Sequence, residues 1–182
     1  MKRLIFALCL LVSGVSFGQN KQITSDQIHK ADSIVKSNID FKLVEAELLV
    51  LINNYRLSKN LNVLSYDTTL CSVAKFQITY CIYLKKLTHD NTPSGYKNVI
   101  DRVEKFTGIR PNTAGEILAQ TNPLFSVAYN RTIAEELFQQ WKDSPGHNAV
   151  MLSNRMVTIG IYVNRKDNIS GGIYGGVVVN SL

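Results

Sequence analysis

The chain has 182 residues and a formal charge of +6 at pH 7. That length suits one domain plus an export signal. The basic excess is mild and scattered, whereas a nucleic-acid binder concentrates it on one face, so no nucleic-acid partner is expected.

Residues 1 to 18 read as a secretory signal peptide. Lys2 and Arg3 form the positive start, and Leu4 to Val12 is an apolar run too short to span a bilayer as a helix. Ser16 and Gly18 are the small residues expected before a cut, which makes Gln19 the first mature residue and lowers the charge to +4. No cysteine follows them to take a lipid, and no later apolar run is long enough for a transmembrane helix. A soluble, monomeric product is expected, secreted or periplasmic. Residues 19 to 40 are polar with a weak helical pattern, a linker or leading helix in which His29 is a surface residue.

Residues 41 to 182 form the domain. Val44, Leu48, Leu51, Ile52 and Tyr55 recur at helical spacing and predict a helix over 41–58, with Asn60 in a left-handed cap. Leu61 to Leu64 runs extended into Asp67, the N-cap of a helix over 68–86. Leu70, Val73, Ala74, Ile78, Cys81 and Leu84 make its core stripe. Cys71 and Cys81 share this helix ten residues apart, about 15 Å of rise. A disulfide needs Cα atoms within about 7 Å, so two free thiols are expected.

His89 lies just past that helix end, before a loop holding Pro93 and Gly95. A short helix over 98–107 carries Val99, Val103 and Phe106 and stops at Gly108. In Ala114-Gly115-Glu116-Ile117-Leu118-Ala119 a carboxylate sits inside an apolar, strand-like run. An unpaired buried charge is costly, so Glu116 needs a partner. Further on, Ile133, Ala134, Leu137, Phe138 and Trp141 form one helical face, with Thr132 and Glu135 spaced as a capping box at its start. Pro145 and Gly146 end that helix and present His147 in a fixed direction. Val157 to Val163 alternates as a strand, and Gly172 to Val179 returns as a second after a polar loop. Helices followed by a terminal hairpin give an α+β fold with a mainly antiparallel sheet.

Together these segments resemble the CAP superfamily of cysteine-rich secretory, antigen 5 and pathogenesis-related proteins, in particular bacterial SCP-like domains. The resemblance covers roughly residues 44 to 180. It rests on Leu51-Ile52-Asn53-Asn54-Tyr55-Arg56, Thr88-His89, Asp101-Arg102-Val103, Gly115-Glu116-Ile117-Leu118-Ala119, Trp141 through His147 and Ile159-Gly160-Ile161. It implies a three-layer α/β/α sandwich with a cleft where two histidines and two glutamates meet. His89, Glu116 and His147 match three of those positions, and Ser144 stands at the fourth. Glu135 is a further cleft candidate, although the capping box already accounts for it.

Three functions are compatible with such a cleft. Two imidazoles and a carboxylate are the ligand set of many open divalent sites, so His89, His147 and Glu116 could hold zinc or another divalent ion in a ligand-binding module. Metal-bound water, or Glu116 as base beside a histidine acid, could instead hydrolyse a peptide or ester. Ser144 lacks a nucleophile elbow, and helix termination explains it. Finally, the three side chains could only lock loops to the sheet, with function in a surface groove for a lipid, glycan, peptide or protein. Tyr80, Tyr83, Tyr96, Tyr129 and Tyr162 are candidates to line such a groove.

Overall fold

The structure is a computed structural model describing residues 39–92, 95–122, 130–165 and 172–181. The signal segment, His29, Tyr129 and most of the hairpin loop lie outside the described residues. Five helices and four strands follow in the order α1 (Phe41–Leu57), β1 (Ser65–Tyr66), α2 (Thr68–Leu84), α3 (Val99–Thr107), β2 (Thr113–Thr121), α4 (Asn130–Asp143), α5 (Pro145–Met151), β3 (Thr158–Arg165) and β4 (Ile173–Ser181). The strands form one sheet in the order β1-β3-β4-β2, so β2 is an edge strand. Only the two-residue β1 runs parallel to its neighbour; the β3–β4 and β4–β2 pairings are antiparallel.

Side chains alternate across a strand, and here each set meets a different layer. Ile117, Ala119, Ile159, Ile161, Val163, Ile173, Val177 and Val179 pack with Val44, Leu48 and Ile52 of α1 and Ile133, Leu137 and Trp141 of α4. Leu118, Tyr174 and Val178 face α2 instead, through Leu70, Val73, Ala74, Ile78 and Cys81, with Val103 of α3 beside them. The result is the expected α/β/α sandwich. Asp67 caps α2 through bonds from the Thr69 and Leu70 amides, and Asn60 takes the left-handed conformation at φ 57°. Cys71 and Cys81 are both free.

Three expectations change. Leu84 is exposed at the last residue of α2, although Cys81 one turn earlier still packs on Leu118 and Tyr174 of the sheet. The Trp141 helix does not begin at Thr132: α4 is already helical at Asn130, and Glu135 accepts from Arg131 Nε at 2.9 Å on the exposed surface. Pro145 and Gly146 do break this helix, but they also open the next. Proline suits a first helical position because its missing N–H has no partner to lose there. His147 is therefore a first-turn residue of α5.

Gly160 marks the closest approach of sheet and helix, since a Cβ there would overlap the backbone of Leu70 and Cys71. Neither can yield as a side-chain tip would. Gly160→Ala is expected to destabilise the domain by about 1–3 kcal/mol or more in urea unfolding, whereas Gly146→Ala, with open space around it, should come closer to neutral.

Candidate functional site

The site is built around Glu116, on the edge strand. Its side chain is 2% exposed and carries two partners. Arg102 Nη2 of α3 donates to Oε2 at 2.5 Å, and His89 Nδ1 lies 2.9 Å from Oε1. The partner that Glu116 required is thus a fully buried arginine. Arg102 Nη1 also donates to the carbonyls of His89 and Tyr96, each at 3.1 Å, and to that of Lys97 at 3.4 Å. One guanidinium joins the edge strand, a short helix and the loop that carries His89.

Sequence reasoning does not single out Arg102 as a site residue, although the pattern holds a clue. Val99, Val103 and Phe106 trace the apolar stripe of α3, and Arg102 falls on that stripe. An arginine on the inward side of an amphipathic helix needs a buried anion, and Glu116 is the carboxylate lacking a cation.

His147 arrives from the other layer. Gly115 turns toward Val150 of α5, while its neighbour Glu116 turns toward Arg102. The two layers therefore meet around the edge strand and bring the His89 and His147 rings to 6.2 Å between centroids, inclined at 62°. The His89 side chain is 55% exposed, and His147 is partly buried. Ser144 caps the start of α5 through its backbone, with no hydrogen bond from its side chain to that helix. Glu135 points away into its surface ion pair, and Glu136 accepts from the Thr121 hydroxyl at 2.5 Å. Neither extends the cleft.

Buried Arg56 is a second inward arginine, where the sequence alone suggests only polarity at a helix end. Its Nε donates to Asn62 O, and its Nη1 donates to the carbonyls of Met151 and Ser153. This ties the end of α1 to the end of α5, the helix that positions His147.

The two histidines are pulled in opposite directions. The hydrogen bond to Glu116, aided by that carboxylate's charge, raises the basicity of His89 against the opposing effect of burial. Burial, followed by the nearby His89 charge, lowers that of His147. Among the described residues no group of three His, Cys, Asp or Glu side chains is arranged to hold a metal ion, and both Glu116 oxygens are engaged by His89 and Arg102.

The sandwich with a histidine pair set around a carboxylate-bearing edge strand defines an SCP-type domain. A sequence profile described as "CAP: Cysteine-rich secretory protein family" matches residues 49–180, and the chain belongs to that family. Among solved structures it is similar to an outer surface protein from Borrelia burgdorferi, at 24% identity and a TM-score of 0.61, covering 79% of this chain and 96% of that one. It is also similar to an extracellular SCP-domain protein of Bacillus anthracis, at 19% identity and 0.59, covering 76% of this chain and 40% of the other. A third likeness is to NaASP2 with Zn2+, at 13% identity and 0.52, covering 78% and 81%. No curated protein matches the chain.

Removing one member of a buried ion pair strands the other. Arg102→Met should cost about 3–5 kcal/mol in urea unfolding, and adding Glu116→Gln to that variant should recover part of the loss. The histidines predict opposite pH slopes in the metal-free protein. The stability that His89 contributes is complete below its ordinary midpoint of about 6.5 and fades as pH rises through its raised midpoint. That of His147 is present above about 6.5 and is lost as pH falls through its lowered midpoint. Proton NMR of the imidazole signals should place one midpoint on each side of the ordinary value, with the upper one falling in Glu116→Gln.

Proposed function

We propose that this chain is an exported binding protein whose cleft, between His89 and His147, takes up a divalent ion as part of its ligand site. The observation carrying this reading is the placement of Glu116. By holding His89 Nδ1 at 2.9 Å it fixes the ring and leaves Nε2 as the available nitrogen. A carboxylate behind an imidazole in this way orients it and raises its basicity as a metal ligand. The ring of His147, 6.2 Å away, supplies the second imidazole. The fit is therefore to a two-histidine site with Glu116 behind it, and the remaining positions belong to water or ligand. Bound there, the ion would act as a Lewis acid toward an oxygen of the ligand. A distant structural neighbour, NaASP2, has been solved with Zn2+, which lends the reading support. Export is supported by the signal-like start and by outer-surface and extracellular neighbours. No described helix is long and apolar enough to cross a membrane.

Metal uptake must displace the proton that Glu116 helps His89 to retain. Zinc binding by calorimetry should therefore release protons and weaken as pH falls. A His89→Ala, His147→Ala variant should lose it, and equal affinity in both proteins would refute the assignment. The oppositely shifted imidazoles favour one second reading, acid/base hydrolysis of a peptide or ester, with the neutral His147 as base and the His89 imidazolium as acid. Turnover of a peptide and ester panel by the wild type, abolished in Glu116→Gln, would establish it.

A further inference from the structure

The turn after α1 and the loop before β3 enclose a pocket of about 300 Å³, and none of His89, Glu116 or His147 lines it. Its polar lining is Arg56 and Arg155 with Asn60, Asn62 and Asn154. No Asp or Glu is among the lining residues.

Arg56 is the reason to expect a ligand there. The residue is 1% exposed. Its Nε and Nη1 are committed to three carbonyls, which leaves Nη2 without an acceptor among the described residues. Nη2 is nevertheless not one of the sealed, partnerless atoms, as the Nε of Arg102 and of Arg165 are. The small part of Arg56 that stays accessible therefore includes Nη2, and it faces the pocket. The two buried arginines also differ in charge balance. Arg102 has Glu116, whereas Arg56 has no carboxylate within ion-pair distance among the described residues. Carbonyl dipoles satisfy N–H groups but bring no opposite charge, and an uncompensated buried ion is costly. Burial accordingly lowers the basicity of Arg56.

The surroundings suit an anion. Arg155 is exposed and has no ion-pair partner among the described residues, so its fork is free to meet an oxyanion side-on. The exposed asparagines add amide N–H donors. A helix C-terminus would oppose an anion through its free carbonyls. At the end of α1 they are taken: those of Asn54 and Leu57 by the Ser58 and Asn60 amides, that of Tyr55 by the Ser58 hydroxyl, and that of Arg56 by the Lys59 and Leu61 amides. The pocket is also larger than a bare oxyanion, and exposed Val63 and Val157 line its apolar side. A neutral molecule could cover these valines but would leave the Arg56 charge uncompensated.

We propose that this pocket binds a small organic oxyanion, a carboxylate or a phosphate, with its head against Arg56 Nη2 and the Arg155 guanidinium and its substituent on Val63 and Val157.

The test is amide NMR of the metal-free mature protein titrated with butyrate, with butyl phosphate, and with butyramide as the uncharged probe, at constant ionic strength. Saturable shifts within 60–63 and 154–157 are expected for at least one anion and not for butyramide, and the tighter anion identifies the head group. Arg155→Ala should weaken binding about five- to tenfold, the scale of one partly exposed charge-assisted contact. Arg56→Met should abolish it. Arg155 is too exposed for its loss to unfold the domain, so that variant remains informative if Arg56→Met does not fold. Binding should be unchanged in His89→Ala, His147→Ala, which separates this pocket from the histidine cleft. Failure of both anions to saturate at millimolar concentration, equal binding of butyramide, indifference to Arg155→Ala, or loss in the double histidine variant would overturn the proposal.

Discussion

Glu116 is a charge held where water cannot reach it, and the cleft depends on how that charge is satisfied. Burying an ion pair contributes little net stability, since desolvation offsets most of the attraction, but losing either partner is expensive. The Arg102–Glu116 pair thus acts chiefly as a constraint. Arg102 is fully buried and directs Nη1 to the carbonyls of His89, Tyr96 and Lys97. Glu116 offers its second oxygen to His89. The backbone and the ring of His89 are therefore fixed by the two ends of one ion pair.

The edge position of β2 explains how residues 89, 116 and 147 meet. In the interior of a sheet, the layers above and below are separated by neighbouring strands. At an edge they can converge. Gly115 permits α5 to approach on one side because it has no side chain to hold Val150 away, and Glu116 receives α3 on the other. Arg56 secures the far end of α5 to α1. Each histidine is thus held by a buried arginine acting through backbone carbonyls.

Much of this is legible in the sequence. The helical stripes of α1 and α2, the Asp67 cap, the free thiols and the antiparallel β3–β4 pair follow from periodicity and spacing, which are local properties. The need of Glu116 for a partner is legible too, from the cost of burying a charge. What local pattern cannot supply is the partner itself, because the Arg102 contact is tertiary. The start of α4 differs from expectation for a related reason: Thr132 and Glu135 have capping spacing, but Glu135 finds a closer partner in Arg131 one turn earlier. Proline and glycine at 145 and 146 signal a stop, although the same residues also open α5. The His89–His147 pairing comes from the likeness to SCP-like domains, since nothing local connects positions 89 and 147.

A metal-dependent ligand site at the histidine pair is the functional core of the domain as proposed. The most direct measurement is elemental mass spectrometry of the mature protein, purified without chelator or histidine tag. Close to one divalent ion per chain is expected, lost in the His89→Ala, His147→Ala variant. Metal-free protein that takes up no zinc when supplied would contradict this and leave the Arg102–Glu116–His89 array as a structural lock.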